Sequence, residues 1–168
     1  MTDGDSIDAL AAQWAAERPD LDHETMATVA RLMRVGALLR GRVGELARSE
    51  GLQVGEGDVL LTLRRAGAPY RLSPSRLARS TLVATGTMTN RLDRLERRGL
   101  VRRIPHPSDR RGLEVELTPE GFELVDSMVG KHVANEQELL SPLSARERDA
   151  LVRSTRKLLA HLEESAIT

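Results

Sequence analysis

The chain has 168 residues, the size of one ordinary domain and enough to bury a real core. With one Trp, one Tyr, one Phe and no Cys, that core must be built from Leu, Val, Ala and Met; disulfides, thiolate metal ligands and cysteine nucleophiles are excluded. Basic and acidic residues balance at 25 each, and no apolar run approaches the roughly 18–20 residues of a membrane span. The opening MTDGDSIDAL is acidic and lacks the basic, then apolar, pattern of a signal peptide, so a soluble cytoplasmic protein is expected.

In chain order, residues 6–17 predict a short helix that Ser6 can cap, with Leu10, Trp14 and Glu17 at helical spacing; Arg18-Pro19-Asp20 breaks it. From about His23 to Ser49, Met26, Val29, Leu32, Met33, Gly36, Leu39, Val43, Leu46 and Ala47 recur as in a long amphipathic helix, ended by Gly51. A third helix over about 55–66 carries Val59, Leu60 and Leu63 and stops at Gly67-Ala68-Pro69. Ser73-Pro74 reads as cap then first-turn proline, opening a helix of about two turns. Another helix begins near Thr85 and runs to Arg98, where Gly99 stops it. Two short helices with a tight link form a helix-turn-helix. Residues 101–104 and 113–117 favour strand, the second by alternating Leu113, Val115 and Leu117 with Glu114 and Glu116. The basic link PHPSDRRG joins them into a hairpin, and a hairpin directly after a helix-turn-helix is a winged helix. Thr118-Pro119 restarts helix to about Leu140. Ser144 and Glu147 form a capping box before a last helix that carries Leu151, Val152, Thr155, Leu158, Leu159 and Leu162.

The balanced charge is unevenly placed. Residues 64–111 hold 13 basic against 3 acidic side chains, while 1–63 and 112–168 each hold 6 against 11. A basic, all-arginine block within an acidic chain is the footprint expected of a nucleic-acid site; the plainer explanation is an arginine-rich solvated surface. On a helical wheel of the second short helix, Met88, Leu92 and Leu95 share the core stripe. Opposite lie Thr89, Asn90, Asp93, Arg94 and Arg97, with Thr87 beside them near the N-terminus. These positions suit base edges and phosphates in a major groove. Ser75 and Arg76, opening the preceding helix, join Thr87, Thr89, Asn90, Arg94, Arg97, Arg110 and Arg111 as candidate DNA contacts. Arg91 differs: it falls about 60° from the centre of the apolar stripe, so it should be half-buried and in need of a partner.

The stretch GTMTNRLDRLERRGLVRRIPHPSDRRGLEVELTPEG resembles the MarR family of bacterial transcription regulators. The resemblance rests on the recognition helix, on Asp109, Arg110 and Arg111 in the wing, and on Leu117, Thr118 and Gly121 after it. It implies a mainly α fold with a small β-hairpin wing, assembled as an obligate homodimer that binds a palindrome. Residues 51–118 would form the winged helix, 23–50 and 119–168 the dimerisation helices, and 1–22 an extra helix and linker. The arginine matching Arg111 would enter the minor groove and Asp109 would brace the wing. Within the family, the urate-responsive branch has such an extra helix, and its ligand residues match Trp14, Asp58, Arg91 and Arg103. Relatives of that branch respond to aconitate or citrate.

Chemistry supports a small anionic ligand at those four residues. Trp14 offers a stacking face and an N–H, Arg91 and Arg103 offer paired donors, and Asp58 lies in what reads as the first turn of a helix. Each also has a plainer role: Trp14 pinning its helix, Arg103 meeting a phosphate, Asp58 answering a helix dipole. Two function classes therefore stand: a repressor released by an anion such as urate or a tricarboxylate, and a DNA-binding protein without a ligand. An enzyme is not expected, nor a cofactor or metal. His23, His106, His132 and His161 are scattered, and no G-x-S-x-G or phosphate-cradling glycine loop is present.

Overall fold

The computed structural model describes residues 4–81, 85–106 and 112–165, which fall into two compact units, 1–54 and 55–168. In the first, α1 (Ser6–Glu17) pairs with α2 (His23–Ser49). Asp5, rather than Ser6, caps α1, in a reciprocal box with Asp8. A carboxylate one residue earlier satisfies the first amides better than the hydroxyl and also answers the helix dipole. Arg31 of α2 donates to Asp5 at 2.7 Å and pairs with Asp8, docking the N-terminus of α1 on α2. Of the long helix, Ala27, Gly44 and Ala47 are buried, while Val29, Leu32, Met33 and Leu39 stay exposed.

The second unit holds α3 (Val54–Arg65), β1 (Arg71–Leu72), α4 (Pro74–Ser80), α5 (Thr85–Arg97), β2 (Val101–Pro105), β3 (Leu113–Leu117), α6 (Pro119–Leu139) and α7 (Ala145–Ser165). Its core is aliphatic: Val59, Leu60 and Leu63 of α3, Leu77 of α4, Met88, Leu92 and Leu95 of α5, Val101, Val115, and Val125 with Met128 of α6. Ser73 caps α4 and Thr118 caps α6, each followed by proline, while Ser144 and Glu147 exchange hydrogen bonds ahead of α7. No residue of α7 is buried. Among the described residues, no helix is long and apolar enough to cross a membrane.

The sheet is antiparallel, in the order β1-β3-β2. β1 escapes a pattern-based reading because two residues carry no period. β3 departs from its expected alternation: Leu113 is exposed and Glu116 buried. The register explains it, since Glu116 lies between Arg71 of β1 and Arg102 of β2 and accepts from both, at 2.7 and 2.5 Å.

Behind the wing, Gly99 takes φ +70° to end α5. The Thr118 hydroxyl donates to the Gly99 carbonyl at 2.6 Å and accepts from the Gly121 amide at 3.0 Å. Gly121 packs directly on the Leu100 carbonyl, leaving no room for a side chain. The Leu-Thr-x-x-Gly stretch is thus a joint that ties the start of α6 to the end of α5.

Candidate nucleic-acid interface and effector pocket

Helix α5 is held by its apolar stripe. Met88, Leu92 and Leu95 are each no more than 1% exposed, so Thr87, Thr89, Asn90, Asp93 and Arg97 face outward. Arg97 Nε donates to the Asp93 carbonyl at 3.3 Å. Ser75 and Arg76, in the first turn of α4, are exposed as well, and the Ser75 hydroxyl shares a 3.1 Å hydrogen bond with that of Ser73. Asp109, Arg110 and Arg111 lie outside the described residues. What is described of the wing is its base, where burial would raise the Glu116 carboxyl but Arg102 and Arg71 outweigh it and hold the pKa below the usual range.

Two arginines are placed differently from the sequence expectation. Arg94, expected on the outward face, is half-buried, and its Nε donates to Oε1 of buried Glu56 at 2.5 Å. Arg103, expected to serve a ligand, reaches from β2 to α5, where it pairs with Asp93 at 2.6 Å and with Glu96, whose carboxylate also accepts from the Arg103 amide. The wheel shows which way a side chain leaves its helix but not what stands there. Arg91 and Arg94, one turn apart, both meet the first turn of α3.

Arg91 is half-buried, as its place on the wheel predicts. Its guanidinium lies against Gly55, where a side chain would collide with it. Nη1 is buried without a hydrogen-bond partner among the described residues. Asp58 lies close enough to interact electrostatically with Arg91 and His132, yet burial dominates and raises its pKa above the usual carboxylate value. Because α3 starts at Val54, Asp58 falls in its second turn, and Glu56 is the first-turn acid. The helix-dipole role given to Asp58 passes to Glu56.

Asp58 opens onto a cavity of about 620 Å3 between α3, the end of α4 and α6, floored by Leu61 and Val129 and edged by Arg65 and His132. Sequence reasoning missed His132, because nothing local tells that α6 packs beside α3. Of the four expected ligand residues, Asp58 and Arg91 are brought together, Arg103 is engaged by Asp93 and Glu96, and Trp14 belongs to the first unit, where it is 43% exposed. Among the described residues, no group of three or more His, Asp or Glu is placed to hold a metal ion.

A helix-turn-helix with a polar outward face, backed by a three-stranded wing, defines a winged-helix DNA-binding protein. The sequence pattern of the MarR family matches residues 50–112. The HTH-type transcriptional regulator PecS of Dickeya dadantii is 40% identical over 161 residues, spanning 96% of this chain and 95% of its own. A mutant MarR from Escherichia coli complexed with operator DNA superposes with a TM-score of 0.69 at 29% identity, over 83% of this chain and 99% of that one. BpsR of Bordetella bronchiseptica, whose DNA binding is regulated by 6-hydroxynicotinic acid, superposes with a TM-score of 0.67 at 28% identity, over 77% and 90%. The chain belongs to the MarR family and is a DNA-binding transcriptional regulator, not an enzyme.

Proposed function

We propose that the protein is a homodimeric, cytoplasmic repressor that reads a palindromic operator with α5 and is released by a small anionic ligand. Supporting it is one observation: the helix that turns Thr87, Thr89, Asn90 and Arg97 outward also plants Arg91 against α3 beside Asp58. A ligand that draws on Arg91 therefore acts on the pose of the reading helix.

Residues 23–50 and 119–168 would form the dimerisation region. Exposed apolar side chains on α2, α6 and α7 supply the faces that a second copy would cover. The wing arginine Arg111, with Asp109 as its brace, would enter the minor groove, and Arg110, Ser75 and Arg76 would make further DNA contacts.

An anion entering the cavity would meet Arg64 and Arg65 on its lining and disturb Asp58, which interacts electrostatically with Arg91. A coupling of about 1–3 kcal/mol is enough for a several-fold to hundred-fold loss of operator affinity. Arg103 can take part only by leaving Asp93 and Glu96. The ligand class is a urate-like or tricarboxylate anion.

The test is a gel shift on the DNA beside the protein's own gene, titrated with urate, citrate and trans-aconitate, with Trp14 fluorescence followed in parallel. One of these anions is expected to release the DNA and change the fluorescence, and Asp58→Asn should blunt the release. Indifference of both signals to all three anions would remove the ligand and leave a ligand-blind regulator.

A further inference from the structure

We infer that Glu56 is a positioning residue for base recognition: from the first turn of α3 it holds Arg94 and so sets the rotation of α5 about its own axis. The inference rests on α5 being the reading helix.

Directional contacts hold α5 on two sides: Arg103 of β2 pairs with Asp93 and Glu96, and on the α3 side Glu56 pairs with Arg94. Met88, Leu92 and Leu95 fix the depth of α5, but aliphatic contacts tolerate a small turn of the helix. The hydrogen bond from Arg94 Nε to Glu56 Oε1, at 2.5 Å, does not. The Glu56 side chain is 4% exposed and that of Arg94 35%, so the bond is made at a carboxylate shielded from water. Each charge also suits its own helix: Glu56 sits in the first turn of α3 and Arg94 in the last turn of α5. Arg91 flattened on Gly55, one turn away, abuts the same turn of α3.

The required accuracy makes such a device useful. A side chain tip about 6 Å from a helix axis moves about 1 Å when the helix turns by 10°, and recognition geometry tolerates about 0.5 Å. A slight turn of α5 would therefore spoil what Asn90 and the threonines read, while phosphate contacts made by long arginines would adapt. Loss of the pair should erase sequence preference before it erases DNA binding.

The experiment selects a preferred duplex from a random pool with the wild-type protein. It then measures affinity for that duplex and for a scrambled one, at one salt concentration, for wild type, Glu56→Gln, Arg94→Lys, their double variant and Asn90→Ala. Glu56→Gln and Arg94→Lys should each lose at least tenfold on the selected duplex and stay within about twofold on the scrambled one. The double variant should lose no more than the worse single variant, because both remove one bond. Circular dichroism checks folding; if Glu56→Gln is unfolded, the half-exposed Arg94→Lys carries the test. Equal losses on both duplexes would mean a merely structural pair and overturn the inference. So would a wild-type preference in Glu56→Gln and Arg94→Lys while Asn90→Ala loses its own. If Asn90→Ala also keeps full preference, α5 is not the reading helix, and both the inference and its premise fall.

Discussion

Burial pushes the pKa of two carboxylates in the winged helix upward, yet their net shifts are opposite. Asp58 has only partial compensation from Arg91 and His132, so its pKa is raised, and the stability tied to its protonated form is lost as pH rises through that raised value. Glu116 is held low by Arg102 and Arg71 against its burial. Its ionised form therefore stabilises the fold above the ordinary value of 4.5, and that contribution disappears as pH falls through the lowered one. Glu116→Gln should destabilise the protein at pH 7 by about 1–3 kcal/mol, the range for a buried charged hydrogen bond whose partners reach solvent. Urea unfolding across the acid range checks it: the gap between wild type and variant should narrow as pH drops below 4.5. A gap constant with pH would show that the two arginines do not hold Glu116. At this scale the sequence was partly readable. The half-burial of Arg91 followed from its angle on the wheel, but the partners of Arg94, Arg103 and Glu116 come from other elements, and no local pattern names them.

Elements were far more readable, because their boundaries are local chemistry. Ser73, Thr118 and the Ser144–Glu147 pair announce helix starts, and Gly51 and Gly99, both at positive φ, mark helix ends. β1 was not readable, since two residues show no period, whereas α2 reads as a long amphipathic helix, and Val29, Leu32, Met33 and Leu39 of its apolar stripe are exposed in a single chain. The joint at Thr118 and Gly121 shows how a short motif becomes three-dimensional. A methyl group at 121 would run into the Leu100 carbonyl, which is backbone and cannot swing aside. Gly121→Ala is expected to destabilise the fold by at least about 1–3 kcal/mol, the usual range for overpacking, and to lower the urea midpoint accordingly. An unchanged midpoint would mean that α6 can slide away from the wing at little cost.

For the whole molecule, the exposed apolar side chains ask for a second copy. Leu32, Met33 and Leu38 on α2, Val133 on α6, and Leu158, Leu159 and Leu162 on α7 are all more than 40% exposed, the kind of apolar helix face that a partner chain covers. In the proposed dimer, two copies of α5 would read one DNA duplex. The measurement that tests this most directly is a hydroxyl-radical footprint on a duplex selected by the protein. It should show two protected stretches related by a two-fold axis, their centres about 10–10.5 base pairs apart or a multiple of that spacing. A single protected stretch without symmetry, or two stretches off the helical repeat, would contradict a dimer that reads DNA through paired recognition helices.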